Sequence, residues 1–271
     1  LPAEEPVLLI PRWGIEQPIH MDEANPQGLV GVLAMLLRRL GLNEESLGIE
    51  VFPSVPRAMG LGGSAAIAVA VIRALSDAFE LGFNDERVNE LAFECERSAH
   101  GNPSGVDNTI ATYGEPMLYK QPKNPDDAAH EIVRPAQPVP LVVGMSGKES
   151  LTANMVEQVR QARERHQVAY DMIFDQLASI ATDGTEAFTH GNFSELGELM
   201  NMAHGCLNAL QLSTPALEEL VFLARSSGAV GAKITGAGGG GSIVALCPDS
   251  QEDVANAMET AGYQTLSFTV K

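Results

Sequence analysis

A two-domain α+β protein is what the sequence predicts, and three observations carry the prediction. The chain has 271 residues, more than one ordinary domain needs. Helical apolar periodicity dominates a long block from about Leu151 to Ser227, and strand-like runs joined by glycine-rich connections flank it on both sides. Between Gln121 and Pro140 the chain is rich in Pro, Asp and Ala and poor in large apolar residues, which predicts a boundary near Gln137 and domains of 1–137 and 138–271.

Each element follows from local pattern. Val7 to Arg12 is β-rich and reads as a strand. After Pro26, apolar residues at 29, 32, 33, 36, 37 and 40, closed by Gly41, predict a buried helix. Gly48 to Pro53 alternates as a strand and leads through Pro56-Arg57-Ala58 into a Gly-rich turn and an Ala, Val and Ile-rich helix ending near Glu80. Asn84 caps the next helix, which runs to His100, where Gly101-Asn102-Pro103 breaks it before another helix starting at Pro103 or Ser104. Val139 to Met145 is a strand. The helical block then carries polar breaks near Asp183-Gly184 and Gly191-Asn192. Strands at Ala232–Thr235 and Ser242–Cys247, a helix over Glu252–Ala261 and a strand over Gln264–Val270 predict a small antiparallel sheet.

Composition narrows the function. Apolar residues make up 45% and charged residues 19%, which excludes disorder and disulfide scaffolds. The longest apolar stretch, Leu29 to Leu37, is about half of what a membrane span needs. Cys95, Cys206 and Cys247 lie far apart without a CxxC, so the expected setting is a reducing cytoplasm. With 17 basic and 35 acidic side chains the formal charge is −18, which argues against a nucleic-acid partner. An anionic ligand would have to be held locally, by backbone amides at a helix N-terminus and by a divalent metal.

Three motifs can carry such chemistry. Gly60-Leu61-Gly62-Gly63-Ser64-Ala65-Ala66 opens a helix, where missing Cβ atoms let a polyphosphate approach first-turn N–H groups; the same pattern also suits a glycine turn packed on a strand. No Gly-Lys-Ser/Thr follows, so it is not a Walker A loop. In the segment from Glu96 to Asn108 one carboxylate ends a helix and Asp107 follows a tight turn, a layout able to bring both to one pocket around Mg²⁺ and a hydroxyl. The alternatives are an i,i+4 pair of Glu96 with His100 on a solvated face, and Asp107 as a turn or cap residue. Lys233 to Ser242 holds a glycine run too dense for a hairpin, suited to close approach of a ligand or of another backbone. His20, His130, His166, His190 and His204 lack ligand-like spacing, and Met200 and Met202, with Leu196, Leu199 and Leu207, read as helix core.

Taken together and in this order, the motifs resemble the GHMP kinase superfamily, and within it the mevalonate kinase family. Gly60 to Ala66 is similar to the superfamily's phosphate loop and Lys233 to Gly241 to its C-terminal glycine motif; His100 to Asn108 is the segment that discriminates, since galactokinase-like and homoserine-kinase-like relatives differ there. The resemblance implies an N-terminal domain like ribosomal protein S5 domain 2 and a ferredoxin-like C-terminal domain. It implies a kinase using ATP and Mg²⁺ on mevalonate or a similar small hydroxy acid, with a homodimer as the candidate assembly. Gly60, Leu61, Gly62, Gly63, Ser64 and Ala65 would cradle the phosphates, and Gly236, Ala237, Gly238 and Gly239 would close over the reacting end. Ser64 and Glu96 would hold Mg²⁺, Asp107 would face the substrate hydroxyl, and Thr152 would lie near the active site.

Two departures follow from the resemblance. Gly63 stands where many family members have a first serine of a pair, which removes a hydroxyl and keeps the amide. A Pro-Gly-Lys segment whose lysine serves the substrate hydroxyl is not found in 1–137, so either residues precede Leu1 or Lys148 or Lys233 supplies the positive charge. The rival expectations are a GHMP kinase acting on a related isoprenoid acid or a sugar, and a nucleotide-binding relative without catalysis.

Overall fold

The computed structural model describes residues 3, 5–21, 28–54, 59–100, 103–121, 130–150 and 152–271. The expectations on Pro26, Pro56-Arg57-Ala58, Gly101-Asn102, the middle of the connection at 122–129 and Leu151 lie outside them. Two compact units emerge. The first comprises 1–56, 62–114 and 121–125, and the second 57–61, 115–120 and 126–271. This division differs from one near Gln137, because the strands flanking 122–129 pair with each other and are counted with the second unit.

In the first unit, β1 (Val7–Ile10) turns through a 3₁₀ segment, Pro11–Trp13, into β2 (Ile15–Pro18). Antiparallel pairing of β1 with β2 makes a strand of Ile15–Pro18, which the sequence reading had left unassigned; Pro18 is tolerated because the strand is at an edge. Helix α1 (Gly28–Arg39) follows, and β3 (Gly48–Glu50) pairs parallel with β1. Helix α2 (Gly63–Ala78) and α3 (Asp85–His100) pack with α1 over this sheet, burying Leu8, Ile10, Leu37, Ile72 and Leu91 completely. Asn84 caps α3 as expected, its Oδ1 accepting from the Arg87 amide at 3.0 Å. Helix α4 (Val106–Tyr113) begins two to three residues later than expected, because Gly105 sits at φ +89° immediately before it.

In the second unit, β4 (Met117–Tyr119) and β5 (His130–Ile132) form a small antiparallel pair. Strand β6 (Val139–Met145) leads into α5 (Thr152–Arg165), α6 (Gln167–His190), α7 (Phe193–Ala209) and α8 (Pro215–Ser226). Then come β7 (Gly231–Thr235), β8 (Ser242–Leu246), α9 (Gln251–Thr260) and β9 (Gln264–Val270). The strand order β7-β8-β6-β9, all antiparallel neighbours, is the split βαβ arrangement of a ferredoxin-like sheet. Leu217, Leu220, Ile234, Ile243, Val254 and Met258 seal α8 and α9 onto it. Helix α6 runs unbroken through Asp183-Gly184, a correction to the expected break, since packing against α7 offsets the roughly 1 kcal/mol helix penalty of one glycine.

Helix α7 lies along the outer edge of β7. Gly197 and Gly231 make this approach possible, for a Cβ on Gly197 would stand 2.5 Å from the Val230 carbonyl oxygen. Side chains then occupy the edge carbonyls in turn: Asn201 Nδ2 donates to Val230, Arg225 to Ala232 and Lys233 Nζ to Ile234, at 3.2, 2.9 and 3.0 Å. Asn201 Oδ1 also accepts from the Ala232 amide at 3.1 Å. Among the described residues no helix is long and apolar enough to cross a membrane.

Candidate active site

In the first unit the site grows out of the start of α2. Gly62 takes φ +66°, a left-handed conformation that costs glycine nothing, and no side chain caps the helix behind it. The first-turn amides of Gly63, Ser64 and Ala65 are therefore left without intrahelical acceptors and point out of the helix end. From this turn the Ser64 hydroxyl donates to Glu96 Oε1 at 2.7 Å. Glu96, one turn before the end of α3, has only 4% of its surface exposed, so the reading of a solvated i,i+4 pair gives way to a buried carboxylate. His100 still stands 3.8 Å from its other oxygen.

Asp107, in the first turn of α4, completes the group. A Cβ added to Gly62 would lie 3.4 Å from Asp107 Oδ1, so the carboxyl rests directly on the glycine turn that opens α2. Its side chain reaches solvent, yet desolvation raises its pKa above the ordinary aspartate value, with the opposing pull of His100 the smaller influence. The turn of α4 is held beneath it: Thr109 Oγ1 donates to the Gly105 carbonyl at 2.7 Å, and the amides of Asn108 and Asn89 meet at 2.6 Å. The structure thus brings together Gly62, Gly63, Ser64, Ala65, Glu96 and Asp107. Asn89 had no sequence signal, because its partner is 19 residues away on another helix.

The second unit holds the other glycine motif. Gly60 and Leu61 belong here, and a Cβ on Gly236 would stand 2.9 Å from the Gly60 carbonyl oxygen. Gly238 would meet the Leu212 oxygen at 2.4 Å and Gly240 the Lys148 oxygen at 2.8 Å. Hydrogen bonds fix the loop: Gly239 N donates to Leu212 O and Gly241 N to Lys148 O at 2.8 Å each, and Ser150 Oγ to Gly238 O at 2.6 Å. Of the two uses open to so dense a glycine run, close approach of other backbone is the one these contacts account for. Ala237 lies between these contacts, and Thr152 is the exposed first residue of α5. Lys148 is exposed, whereas Lys233 lies under α7 with its ammonium on the Ile234 carbonyl.

The donor set at α2 suits one kind of ion. A buried carboxylate and a hydroxyl are hard oxygen ligands, and Mg²⁺ takes one or two such ligands together with phosphate oxygens and water. Among the described residues no group of three or more His, Cys, Asp or Glu side chains is placed to hold a metal by itself. A metal here would have to arrive with a phosphate ligand.

Comparison with known proteins identifies the family. Residues 28–115 match the model of the GHMP kinases N terminal domain and residues 185–264 that of the GHMP kinases C terminal domain. The mevalonate kinase of Pyrococcus abyssi is 36% identical over 219 residues, covering 79% of this chain and 63% of that protein. That of Methanothermobacter thermautotrophicus is 34% identical over 252 residues, covering 92% and 79%. The chain thus spans a little under two thirds of the Pyrococcus and Thermococcus enzymes it matches, at 63% and 65% of their lengths. Among solved structures, L. major mevalonate kinase in complex with R-mevalonate superimposes with a TM-score of 0.82 at 29% identity, covering 100% of this chain and 84% of that one. The Methanococcus jannaschii mevalonate kinase shares the fold, with a TM-score of 0.81 at 22% identity over 97% and 84% of the two chains. The chain belongs to the GHMP kinase family, and the relatives that establish this are mevalonate kinases.

Proposed function

We propose that this chain carries the catalytic parts of an ATP-dependent kinase that transfers the γ-phosphoryl group to the primary hydroxyl of mevalonate. The observation that carries the proposal is the Ser64–Glu96 hydrogen bond of 2.7 Å at the open start of α2, with Asp107 on the adjoining turn. Phosphoryl transfer asks mainly for positioning and charge neutralisation, and these groups supply both. Amides of Gly63, Ser64 and Ala65 donate to phosphate oxygens. Ser64 Oγ and Glu96 would hold Mg²⁺, which when bound would offset phosphate charge. Asp107 accepts the hydroxyl proton as the oxygen attacks phosphorus, and its raised pKa makes it a stronger base than an ordinary aspartate.

Mevalonate as acceptor is supported by the relatives at 34–36% identity and by the R-mevalonate bound to the L. major enzyme. Lys233 is given no part at the reacting phosphate, because its ammonium is engaged on Ile234. Lys148, exposed beside the second glycine motif, is the basic group to test there, and Thr152 the hydroxyl.

The test is ADP release from Mg-ATP with and without mevalonate, beside Asp107→Asn. Mevalonate-dependent ADP, reduced about 10²- to 10⁴-fold in the variant while nucleotide still binds, is the expected result. ADP release that is indifferent to mevalonate, or an Asp107→Asn variant with full activity, would overturn the proposal. Nucleotide binding without any ADP would identify a binding-only relative.

A further inference from the structure

The helices of the second unit leave a space between them. A cavity of about 350 Å³ opens where α6 and α7 meet the end of β7, lined by Leu177, Ile180, Leu196, Met200, Ala203 and Lys233. Its volume is at the lower end of small-molecule sites, which run from about 300 to 1,000 Å³. Ala181 and Gly236, also on its wall, are exposed, so the cavity reaches solvent. The apolar spacing of α7 had read as core packing. Here Leu196, Leu199 and Met200 line an open space; Leu207 lines it too and also packs against both core clusters of the unit as expected, whereas Met202 is exposed, a correction to its reading as core.

One polar group stands out in this aliphatic wall. The Lys233 ammonium has three donors, and its hydrogen bond is to a neutral acceptor, the Ile234 carbonyl at 3.0 Å. Among the described residues no carboxylate forms an ion pair with it. Glu218, on α8, is engaged elsewhere, with Ser213, with Asn208 at 3.1 Å and with His204 at 3.2 Å. Burial without a counter-ion disfavours the charged form, and desolvation accordingly lowers the Lys233 pKa below the ordinary lysine value.

We propose that this cavity is a ligand site for a small amphipathic carboxylate, its aliphatic chain between α6 and α7 and its head group on the Lys233 ammonium. An anion arriving there supplies the missing counter-charge, and its chain covers apolar surface now left to water. The proposal does not rest on the kinase reading: Gly236 contributes only wall, and Lys233, whose ammonium is on the Ile234 carbonyl, is given no part in the phosphoryl transfer.

Isothermal titration of the whole chain with octanoate, octyl phosphate and octanol tests it. Octanoate is expected to bind at least about tenfold more tightly than octanol, the effect of one charge-assisted hydrogen bond, and Lys233→Met to erase that preference while leaving octanol binding intact. Gly184→Leu is expected to abolish binding of both, because a Cβ at Gly184 meets only Leu196, at 3.9 Å, and the longer chain fills the space. That variant replaces a mid-helix glycine by a stronger helix former, so loss of fold is not at issue. Octyl phosphate binding ahead of octanoate, and equally dependent on Lys233, would keep the anion site and assign it a phosphate head. Octanoate no tighter than octanol, or unaffected by Gly184→Leu, or not bound at millimolar concentration, would overturn the proposal.

Discussion

Replacing Gly197 by alanine tests whether the seating of α7 on β7 is as tight as the distances say. The new methyl would lie 2.5 Å from the Val230 carbonyl oxygen and 2.7 Å from its carbon, about 0.9 Å short of ordinary contact, and both are backbone atoms. Helix α7 must therefore retreat. Asn201, one turn on, then loses its hydrogen bonds of 3.2 and 3.1 Å to the edge of β7, worth about 1 kcal/mol each. Steric strain adds about 1–3 kcal/mol, and the better helix propensity of alanine returns about 1. The net loss is about 2–4 kcal/mol. Gly205→Ala is the control on the same helix: nothing lies within 4 Å of its Cβ, so only the propensity gain of about 1 kcal/mol applies. Thermal melts of the two variants should move in opposite directions, by about 2–4 °C per kcal/mol. A Gly197→Ala protein melting at or above the parent, or a Gly205→Ala protein as damaged as Gly197→Ala, would refute the reasoning.

Four further outcomes follow from the same geometry. Desolvation raises the Asp107 pKa, so the ionised base is lost as pH falls through a value above the ordinary 3.8; the acid limb of kcat/KM should lie above it. His100→Gln, which removes the opposing influence, should move that limb higher still, and a limb that stays put would count against Asp107 as base. Ser64→Ala leaves a buried carboxylate without its 2.7 Å donor and should cost about 1.5–3 kcal/mol in urea unfolding. Glu96→Gln should fold yet bind nucleotide with no response to a chelator, and a retained response would remove Glu96 from the metal site. Gly238→Ala meets the Leu212 carbonyl at 2.4 Å, whereas Gly239→Ala meets the flexible Met155 side chain; the first should lose at least about 1 kcal/mol more in the same assay.

Much of the fold could be read from local pattern, because its strongest elements are periodic. Gln264–Val270 and Val139–Met145 match the observed β9 and β6, and the Ala-rich run after Ser64 is α2. What escaped reading is set by partners. Ile15–Pro18 carries Glu16, Gln17 and a proline, and it is a strand because β1 pairs with it. Met200 and Leu196 have core periodicity, and periodicity says which side is apolar without saying whether anything fills the space opposite. The Ser64–Glu96 bond joins residues 32 apart, beyond any local signal, and only the resemblance of the surrounding motifs pointed to it. The glycine run at 236–241 was legible as a place of close approach, while the identity of the approaching backbone, 59–60, 148–149 and 212, needed the tertiary structure.

The edge of β7 has a consequence for how the chain behaves before it is fully folded. An uncovered strand edge is a template on which another chain can add, and β7 is the end strand of its sheet. Asn201 meets this edge as a strand would, giving one donor and taking one, and Arg225 and Lys233 occupy the next two carbonyls. All three caps are side chains, one of them carried by α7 and one by α8. Until those helices dock, the sheet is adhesive; once they dock, that edge can recruit no further strand. Aggregation during refolding should therefore follow the lifetime of the undocked helices, and weakening the Asn201 contact lengthens that interval without altering any exposed surface of the finished protein.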